Sequence, residues 1–366
     1  MSKARELANL GNAYSDGALS NRNRIINGAM VIDQRNGGAA FNPPPNQGYS
    51  LDRWTTWLSQ NTFSVQQNAG AVTPPAGFSK YLGVTVTSAT TIGVSDYFGV
   101  GHKVEGYNIA DLSWGTANAQ AITISFWVRS SLTGNFGAVI RRGDGGQYYA
   151  FLYAISSANT WEYKTVTIPG PTTGSWNDTN GTGLFLLFGF GAGANQTAGS
   201  NDTWVNGGVL GASGATPVVA TNGATFYITG VQLEAGDTAT PFEHRSYGDE
   251  LAKCQRYYIS VGDTSNSSAY TRYAVGYNYA GTANNSTLVF PTTMRAKPSM
   301  TTSGTLAIYH GAQVVSTATS VSIETAGTSQ DRASVNTFTS GLSTGTVGVL
   351  IANNDNDTRI NFDAEL

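Results

Sequence analysis

The sequence predicts an all-β protein, and three observations lead to that class. Its 44 glycines, with many Ser, Thr and Asn residues, suit short strands joined by tight turns. Aromatic residues make up 11% of the chain and the net charge is only -3, which excludes an intrinsically disordered protein. Charged residues make up 12%, about half of the usual share of roughly 25%. The 366 residues are enough for two or three domains.

Residues 1–20 are predicted to be a separate unit. The stretch around Lys3, Arg5, Leu7 and Leu10 has a helical composition that Gly11 ends. A helix of about ten residues is not stable alone in water. The segment therefore either docks on another protein as an anchoring peptide or stays disordered.

Residues 21–245 are predicted to form one long β domain. Its clearest strand is 122–129, where the even positions are apolar and face a core. Trp127 and Arg129 then lie on the outward face of that strand. Further strands are expected at 81–87, 137–141, 148–155, 162–168, 184–190 and 225–229, with one more around Trp204.

Turn and helix signals indicate where some of these strands end and where a helix begins. Gly143–Gly146 predicts a hairpin turn, which also explains the tripeptide Arg142-Gly143-Asp144. The strand at 225–229 is expected to end at the Thr229-Gly230 step. Ser246 and Asp249 then predict the start of a short helix within 246–258, in which Cys254 is a small buried apolar residue.

Residues 259–366 are predicted to form a second β unit. Strands are expected near 270–279, 286–290, 305–310, 312–316, 334–338, 345–351 and 358–364. Tyr273, Val275, Tyr277 and Tyr279 share one face of the first of these strands. That face is a core, a subunit interface or a receptor-binding surface, and interface burial is favoured because Tyr is enriched at interfaces.

Several of these segments resemble bacteriophage tail-fibre proteins. The most specific are 228–258, which resembles the hinge of such fibres, and 290–298, which reads F-P-T-T-M-R-A-K-P like a segment of their tip domains. Residues 1–20, 24–35 and 360–366 resemble their opening segment, first strand and closing strand.

This resemblance implies a domain order and a set of partners. It implies a virion-anchoring peptide at 1–20, a jelly-roll β-sandwich similar to carbohydrate-binding modules at 21–245, a linking helix at 246–258 and a β-sandwich tip at 259–366. It also implies a homotrimer in the virion, held by phage tail or baseplate proteins through its N-terminus, which binds a host-surface glycan during adsorption.

Glycan sites combine exposed aromatic rings with polar side chains, so aromatic residues in polar surroundings are the candidates. They are Trp127 with Arg129, Trp176, Trp204, and Tyr273, Tyr277 and Tyr279. Trp127 either stacks on a ligand or is covered by loops or a partner chain. Trp176 and Trp204 lie in polar loops and are either plugs that fold onto the domain or ligand platforms.

Other functions have little support, and neither a catalytic residue nor a cofactor is expected. No Lys or Arg occurs between Lys164 and Arg245, which argues against nucleic-acid binding, and no apolar run is long enough to insert in a membrane. The N-terminus lacks the apolar core of a signal peptide, so synthesis is expected in the host cytoplasm. The histidines are scattered, and Asp355 and Asp357 belong either to a solvated hairpin, which their turn-rich surroundings favour, or to a calcium loop.

Two rival functions remain open at this point. One is a polysaccharide depolymerase with its active site at a subunit interface, for which a carboxylate pair would be the signature. The other is a structural tail appendage without receptor contact.

Overall fold

The computed structural model describes residues 21–262, 269–311 and 314–366. These residues form two compact units, 21–250 with Leu366 and 251–365, and each is described by itself. Strands dominate both units, so the predicted all-β class is confirmed. The virion-anchoring candidates Lys3, Arg5, Leu7 and Leu10 lie outside the described residues.

The first unit is a sandwich of two antiparallel sheets. A seven-stranded sheet has the order β1-β2-β5-β10-β7-β8-β11, and a five-stranded sheet has the order β3-β4-β12-β6-β9. The strands are β1 Asn46–Leu51, β2 Trp54–Leu58, β3 Phe63–Gln67, β4 Leu82–Val86, β5 Tyr97–Glu105, β6 Ile122–Ser130, β7 Gly134–Arg142, β8 Gln147–Ile155, β9 Glu162–Ile168, β10 Thr182–Ala192, β11 Trp204–Asn206 and β12 Thr225–Ala235.

Side-chain alternation places the core between these sheets. Ile122, Ile124, Phe126 and Val128 of β6 are all fully buried, as the period of two predicts. The apolar run of β10 is buried on both faces, with Leu184, Leu186 and Phe188 in the main core. Phe185 and Leu187 pack with Leu210 on the opposite face. A loop that covers the outer face of the sheet therefore explains why β10 is continuously apolar.

The strand predicted within 24–35 is wrong. Residues 26–29 and 34–38 form turns and the positions between them are irregular, because Asn27 and Met30 both have a φ of 58°, which breaks an extended backbone. The Asn27 carboxamide accepts a hydrogen bond from the Ile32 backbone N–H at 3.0 Å and donates one to the Ile32 carbonyl at 2.8 Å. A side chain that satisfies backbone groups in this way replaces the ladder of a strand.

The predicted end of β12 at Thr229-Gly230 is also wrong, because the strand continues to Ala235 through a bulge. Its register against β6 shifts between Thr229 and Gln232. Gly230 takes a φ of 62°, and a Cβ there would lie 2.6 Å from the Phe78 ring. A glycine turn signal inside a strand can thus mark a bulge instead of an end.

The predicted helix is confirmed as α1, Tyr247–Gln255. The Asp249 N–H donates to the Ser246 hydroxyl at 3.2 Å, and that hydroxyl donates to the Asp249 carboxylate at 2.6 Å. These contacts confirm Ser246 as the N-cap. Cys254 is fully buried, as predicted.

The second unit is also a sandwich, of a three-stranded sheet (β13-β22-β16) and a seven-stranded sheet (β18-β17-β21-β14-β15-β20-β19). Its strands are β13 Tyr258–Val261, β14 Arg272–Ala280, β15 Ala283–Val289, β16 Ser299–Ser303, β17 Leu306–His310, β18 Val314–Thr317, β19 Ser320–Ile323, β20 Arg332–Phe338, β21 Val347–Ala352 and β22 Arg359–Asp363. Side chains of both sheets, among them Ile308, Leu350, Ile360 and Phe362, share one core.

Candidate functional site

Three tryptophan rings pack together in the first unit. Trp114 lies in the loop between β5 and β6, Trp176 in the loop between β9 and β10, and Trp204 at the start of β11. The centroids of Trp114 and Trp176 are 4.6 Å apart, and each is 5.6 Å from the centroid of Trp204. All three pairs are edge-to-face, a geometry that the ring quadrupoles favour. The cluster therefore brings three separate segments together.

The indole N–H groups distinguish these tryptophans. Trp114 donates to the Gln120 carbonyl at 2.8 Å, and Trp204 donates to the Pro169 carbonyl at 2.6 Å. The Nε1 atom of Trp176 is buried and has no hydrogen-bond partner within the described ranges. A buried indole N–H normally finds an acceptor. Trp114 and Trp204 are thus satisfied by the protein itself, whereas no described residue accepts a hydrogen bond from Trp176.

Backbone contacts fix the loop that carries Trp176. The Gly106 N–H donates to the Gly181 carbonyl at 2.8 Å, and the Tyr107 N–H donates to the Thr179 carbonyl at 2.9 Å. Gly106 must be a glycine here, since a Cβ would lie 2.5 Å from the backbone oxygen of Asn177. The loop is therefore attached through its backbone to residues 106 and 107, which follow β5.

Two clefts border Trp176. The larger, of about 540 Å³, is lined by Arg142, Gly143, Asp144, Ser175, Trp176, Asn177, Asp178 and Thr182. The smaller, of about 360 Å³, is lined by Ile109, Ala110, Ser113, Trp114, Thr116, Asn118, Trp176, Asn177 and Asp178. Trp176, Asn177 and Asp178 belong to both walls. One ligand that crosses Trp176 could therefore contact both clefts.

The charge of the larger cleft comes from three side chains, Arg142, Asp144 and Asp178, which give a formal charge of -1. Arg142 Nε donates to Asp144 Oδ1 at 2.6 Å, and the Gly146 N–H donates to the same oxygen at 2.8 Å. The hydrogen bond from Arg142 holds the pKa of Asp144 below its ordinary value. The only cation of this lining is thus already paired, which disfavours an acidic ligand.

The sequence-predicted pair on β6 lies elsewhere. Trp127 is half-buried with its ring 5.3 Å from that of Tyr163. The Arg129 guanidinium lies 5.4 Å from the Tyr227 ring and its Nε donates to the Asn159 carbonyl at 3.0 Å. Neither residue lines the clefts beside Trp176.

Of the two loop tryptophans, Trp176 borders both clefts and Trp204 packs behind it, 5.4 Å from the Tyr149 ring.

The tyrosine candidates lie on β14 of the second unit. Tyr277 and Tyr279 are 53% and 43% exposed and share their face with Val275, which is 65% exposed. Tyr273 differs, because its ring packs against the core of the unit and its hydroxyl donates to the Thr358 carbonyl at 2.7 Å. Burial raises the pKa of Tyr273 to about 12.

Sequence reasoning missed Trp114, Asn118 and Asp178. Trp114 stands before Gly115-Thr116-Ala117-Asn118, a polar loop of the kind that singled out Trp176 and Trp204, so the same signal could have found it. Arg142 and Asp144 were assigned to a hairpin turn alone. That turn is confirmed between β7 and β8, and it also lines the larger cleft.

No three His, Cys, Asp or Glu side chains of residues 21–262, 269–311 and 314–366 are grouped as metal ligands would be. Asp355, in the connection between β21 and β22, instead accepts backbone hydrogen bonds from Thr305 and Asp357. Within those residues no helix combines the length and apolar character needed to cross a bilayer.

Comparison with known proteins gives only distant likenesses. No family model matches the chain, and no curated protein matches its sequence. Among solved structures, the enzymatically active domain of bacteriophage CBA120 tailspike protein 4 aligns with 13% identity and a TM-score of 0.32, over 59% of this chain and 22% of that one.

Two carbohydrate-binding modules align in a similar way. A family 61 module in complex with β-1,4-galactotriose gives 13% identity and a TM-score of 0.29, over 58% of this chain and 99% of the module. The family 11 module of a Clostridium thermocellum cellulase gives 10% and 0.26, over 55% and 100%. These TM-scores are too low to assign a function to this chain.

Proposed function

We propose that the clefts on either side of Trp176 bind an uncharged surface glycan. The observation that supports this most is the position of Trp176, a half-buried ring in the shared wall of two polar clefts. Sugars offer C–H faces that pack on aromatic rings and hydroxyl groups that bond to amide and carboxylate side chains. Asn177, Asp178 and Asn118 supply those polar groups around the ring.

The size and charge of the clefts support the same ligand class. Volumes of about 540 and 360 Å³ fall in the range of small-molecule sites, and the two clefts meet at Trp176. A linear oligosaccharide could lie across the ring with one sugar on either side. With Arg142 paired to Asp144, a neutral chain suits the larger cleft better than an acidic one.

The test compares two tryptophan variants of the full chain. Binding to an immobilised panel of gluco-, galacto-, manno- and N-acetylglucosamine oligosaccharides is measured first, and the best probe is titrated by calorimetry. Trp176→Ala should weaken that probe about tenfold or more, since it removes the ring that the sugar covers. Trp127→Ala is the matched control on β6 and should leave affinity unchanged.

The reverse result, loss in Trp127→Ala and none in Trp176→Ala, would move the site to β6. Retained binding in both variants would reject both positions. Circular dichroism of each variant shows whether the first unit is still folded.

For the role of the whole protein, we propose that it is a phage tail-fibre protein that recognises a host-surface glycan during adsorption. The resemblance of 228–258 and 290–298 supports this assignment, with residues 1–20 as the proposed virion anchor. A homotrimer would present three copies of the Trp176 site, so that weak contacts add up to firm attachment. The exposed Val275, Tyr277 and Tyr279 are proposed as part of the subunit interface.

Two measurements test this broader proposal. Light scattering should give about 115 kDa for three chains of 38.4 kDa, and a monomer mass would contradict a trimeric fibre. The isolated protein should also block adsorption of the phage that encodes it. Full adsorption at saturating protein would favour the structural appendage instead.

A depolymerase is the second candidate, because Asp144 and Asp178 line the same cleft. We propose binding without hydrolysis, since a glycosidase needs one carboxylic acid of raised pKa, and the hydrogen bond from Arg142 that lowers the pKa of Asp144 argues against this residue in that role. An assay for reducing sugar released from host polysaccharide distinguishes glycan binding from glycan hydrolysis. Turnover that disappears in Asp178→Asn would replace the binding proposal with the enzymatic one.

A further inference from the structure

Two segments that are far apart in the sequence lie side by side in the first unit. One is residues 22–28, and the other is residues 240–250, which follow β12 and contain the start of α1. Four contacts pair them in ascending order on both sides, namely Arg22 with Pro241, Asn23 with Glu243, Ile25 with Arg245 and Asn27 with Glu250. The two segments therefore run in the same direction.

Three side chains of the 240–250 segment bond to the backbone of the 22–28 segment at every second residue. The bonds run from the Asn23 N–H to Glu243 Oε2 at 2.9 Å, from Arg245 to the Asn23 carbonyl and at 3.1 Å to the Ile25 carbonyl, and from the Asn27 N–H to Glu250 Oε1. A neighbouring strand would bond to alternate residues in the same way. These side chains thus take the place of a paired strand.

The opposite side of the 22–28 segment bonds to β12. The Arg24 N–H donates to the Leu233 carbonyl at 2.8 Å, and the Val231 N–H donates to the carbonyl of residue 28 at 2.9 Å. The Asn23 carboxamide adds two bonds, since it donates to the Val231 carbonyl at 3.1 Å and accepts from the Leu233 N–H at 3.1 Å. The segment is therefore held along both of its sides.

Arg245 joins these contacts into one network. Its guanidinium lies 3.2 Å from the Glu243 carboxylate and 3.3 Å from that of Glu250, and the three side chains are only 9–14% exposed. Water therefore competes little for these bonds, and hydrogen bonds between charged groups are stronger than neutral ones. A lysine could not replace Arg245, because an ammonium group lacks the planar fork of five donors that reaches four acceptors at once.

The shared direction of the two segments decides how tension acts on this network. A force that pulls residue 22 and residue 250 apart along the chain slides the two parallel segments past each other. All bonds between the segments then carry the load together, whereas a force across the segments would break them one after another. Because the barrier to unfolding governs forced unfolding, simultaneous loading raises the force that the unit withstands.

We infer that the Arg245 network is a mechanical clamp, which passes tension between residues 22–28 and residues 240–250 without unfolding the sandwich. It goes beyond the proposed function, since no glycan takes part in it. Arg245 is its central residue, because it alone contacts both carboxylates of the network and two backbone carbonyls of the 22–28 segment.

The experiment stretches the full chain in optical tweezers with two different pairs of handles. Handles at the two ends of the chain load the clamp by sliding. Handles at Gly199→Cys and at the C-terminal end leave residues 22–28 outside the loaded path. Position 199 suits a handle because it is exposed and a Cβ there meets nothing within 4 Å.

The length of chain released identifies the unit that unfolds. At up to 3.6 Å per residue, the first unit releases about 80 nm between the chain ends and about 18 nm from position 199, against about 40 nm for residues 251–365. The quantity compared is the ratio of the two forces that unfold the first unit. A general loss of stability lowers both forces together, so the ratio separates a clamp from an ordinary structural contact.

In the wild type we expect the force between the chain ends to be about twice the force from position 199. Arg245→Lys should bring this ratio close to one, and the milder Glu250→Gln should give an intermediate ratio. Arg129→Lys on β6 is the matched control and should keep the wild-type ratio. A wild-type ratio near one would overturn the inference, and so would a ratio that both Arg245→Lys and Glu250→Gln leave unchanged.

Discussion

Acid destabilisation of the first unit should be traceable to one histidine, His102 on β5. Its ring is fully buried, 5.5 Å from the Trp54 ring, and its Nε2 contacts the Ile26 backbone. Its Nδ1 is buried without a partner in the described residues, so a proton there would find no acceptor. Burial, with Arg53 next in effect, holds the pKa of His102 well below its ordinary value of 6.5.

The sign and size of the effect follow from linkage. Below about pH 6.5 the unfolded chain binds a proton at His102 that the folded chain does not bind. The free energy of unfolding is therefore highest, as far as His102 is concerned, above pH 6.5. It decreases as the pH falls from there towards the pKa that His102 has in the folded protein. The slope approaches about 1.4 kcal/mol per pH unit, which gives a loss of about 1.4 kcal/mol between pH 7.5 and pH 5.5.

Urea unfolding followed by tryptophan fluorescence measures this loss, because all seven tryptophans lie in the first unit. The comparison is with His102→Gln, whose amide nitrogen can replace Nε2 but does not titrate. The variant should show a much flatter dependence over the same pH range, whatever its absolute stability. Equal slopes in the two proteins would refute the reasoning. In the described part of the first unit the carboxyl groups with lowered pKa are Asp144 and Glu162, and both titrate below this window.

Two further substitutions test the loop and the helix cap. Gly106→Ala should lower Tm by several degrees and weaken glycan binding, because the Cβ of the new alanine would displace the Asn177 backbone. An unchanged Tm and an unchanged affinity would show that the loop accommodates the Cβ. Ser246→Ala should cost about 1 kcal/mol in urea unfolding through loss of the cap, whereas Gly248→Ala, which meets nothing within 4 Å, is the control and should be neutral or slightly stabilising.

The fold was predictable where one local rule acts alone. The alternation of β6 identified its core face because a sandwich strand buries every second side chain. The prediction for 24–35 failed because the Asn27 side chain, whose partners cannot be read from an apolar run, satisfies the backbone there. Gly230 was read as a strand end because a bulge and a turn share the same glycine signal.

The site was only partly predictable for a related reason. A tryptophan in a polar loop identified Trp176 and Trp204, but not which of them would face a cleft, since that depends on Trp114 and on the loop that carries it.

The loop that carries Trp176 is held by main-chain groups, which has a consequence for how this surface can change. The hydrogen bonds from Gly106 and Tyr107 depend on backbone atoms of 179–181 and not on the side chains that face the clefts. Substitutions at Ser175 or Asp178 therefore change the side chains that line the larger cleft but leave these backbone hydrogen bonds in place. Such a surface can acquire a new binding preference by single substitutions while its scaffold stays the same.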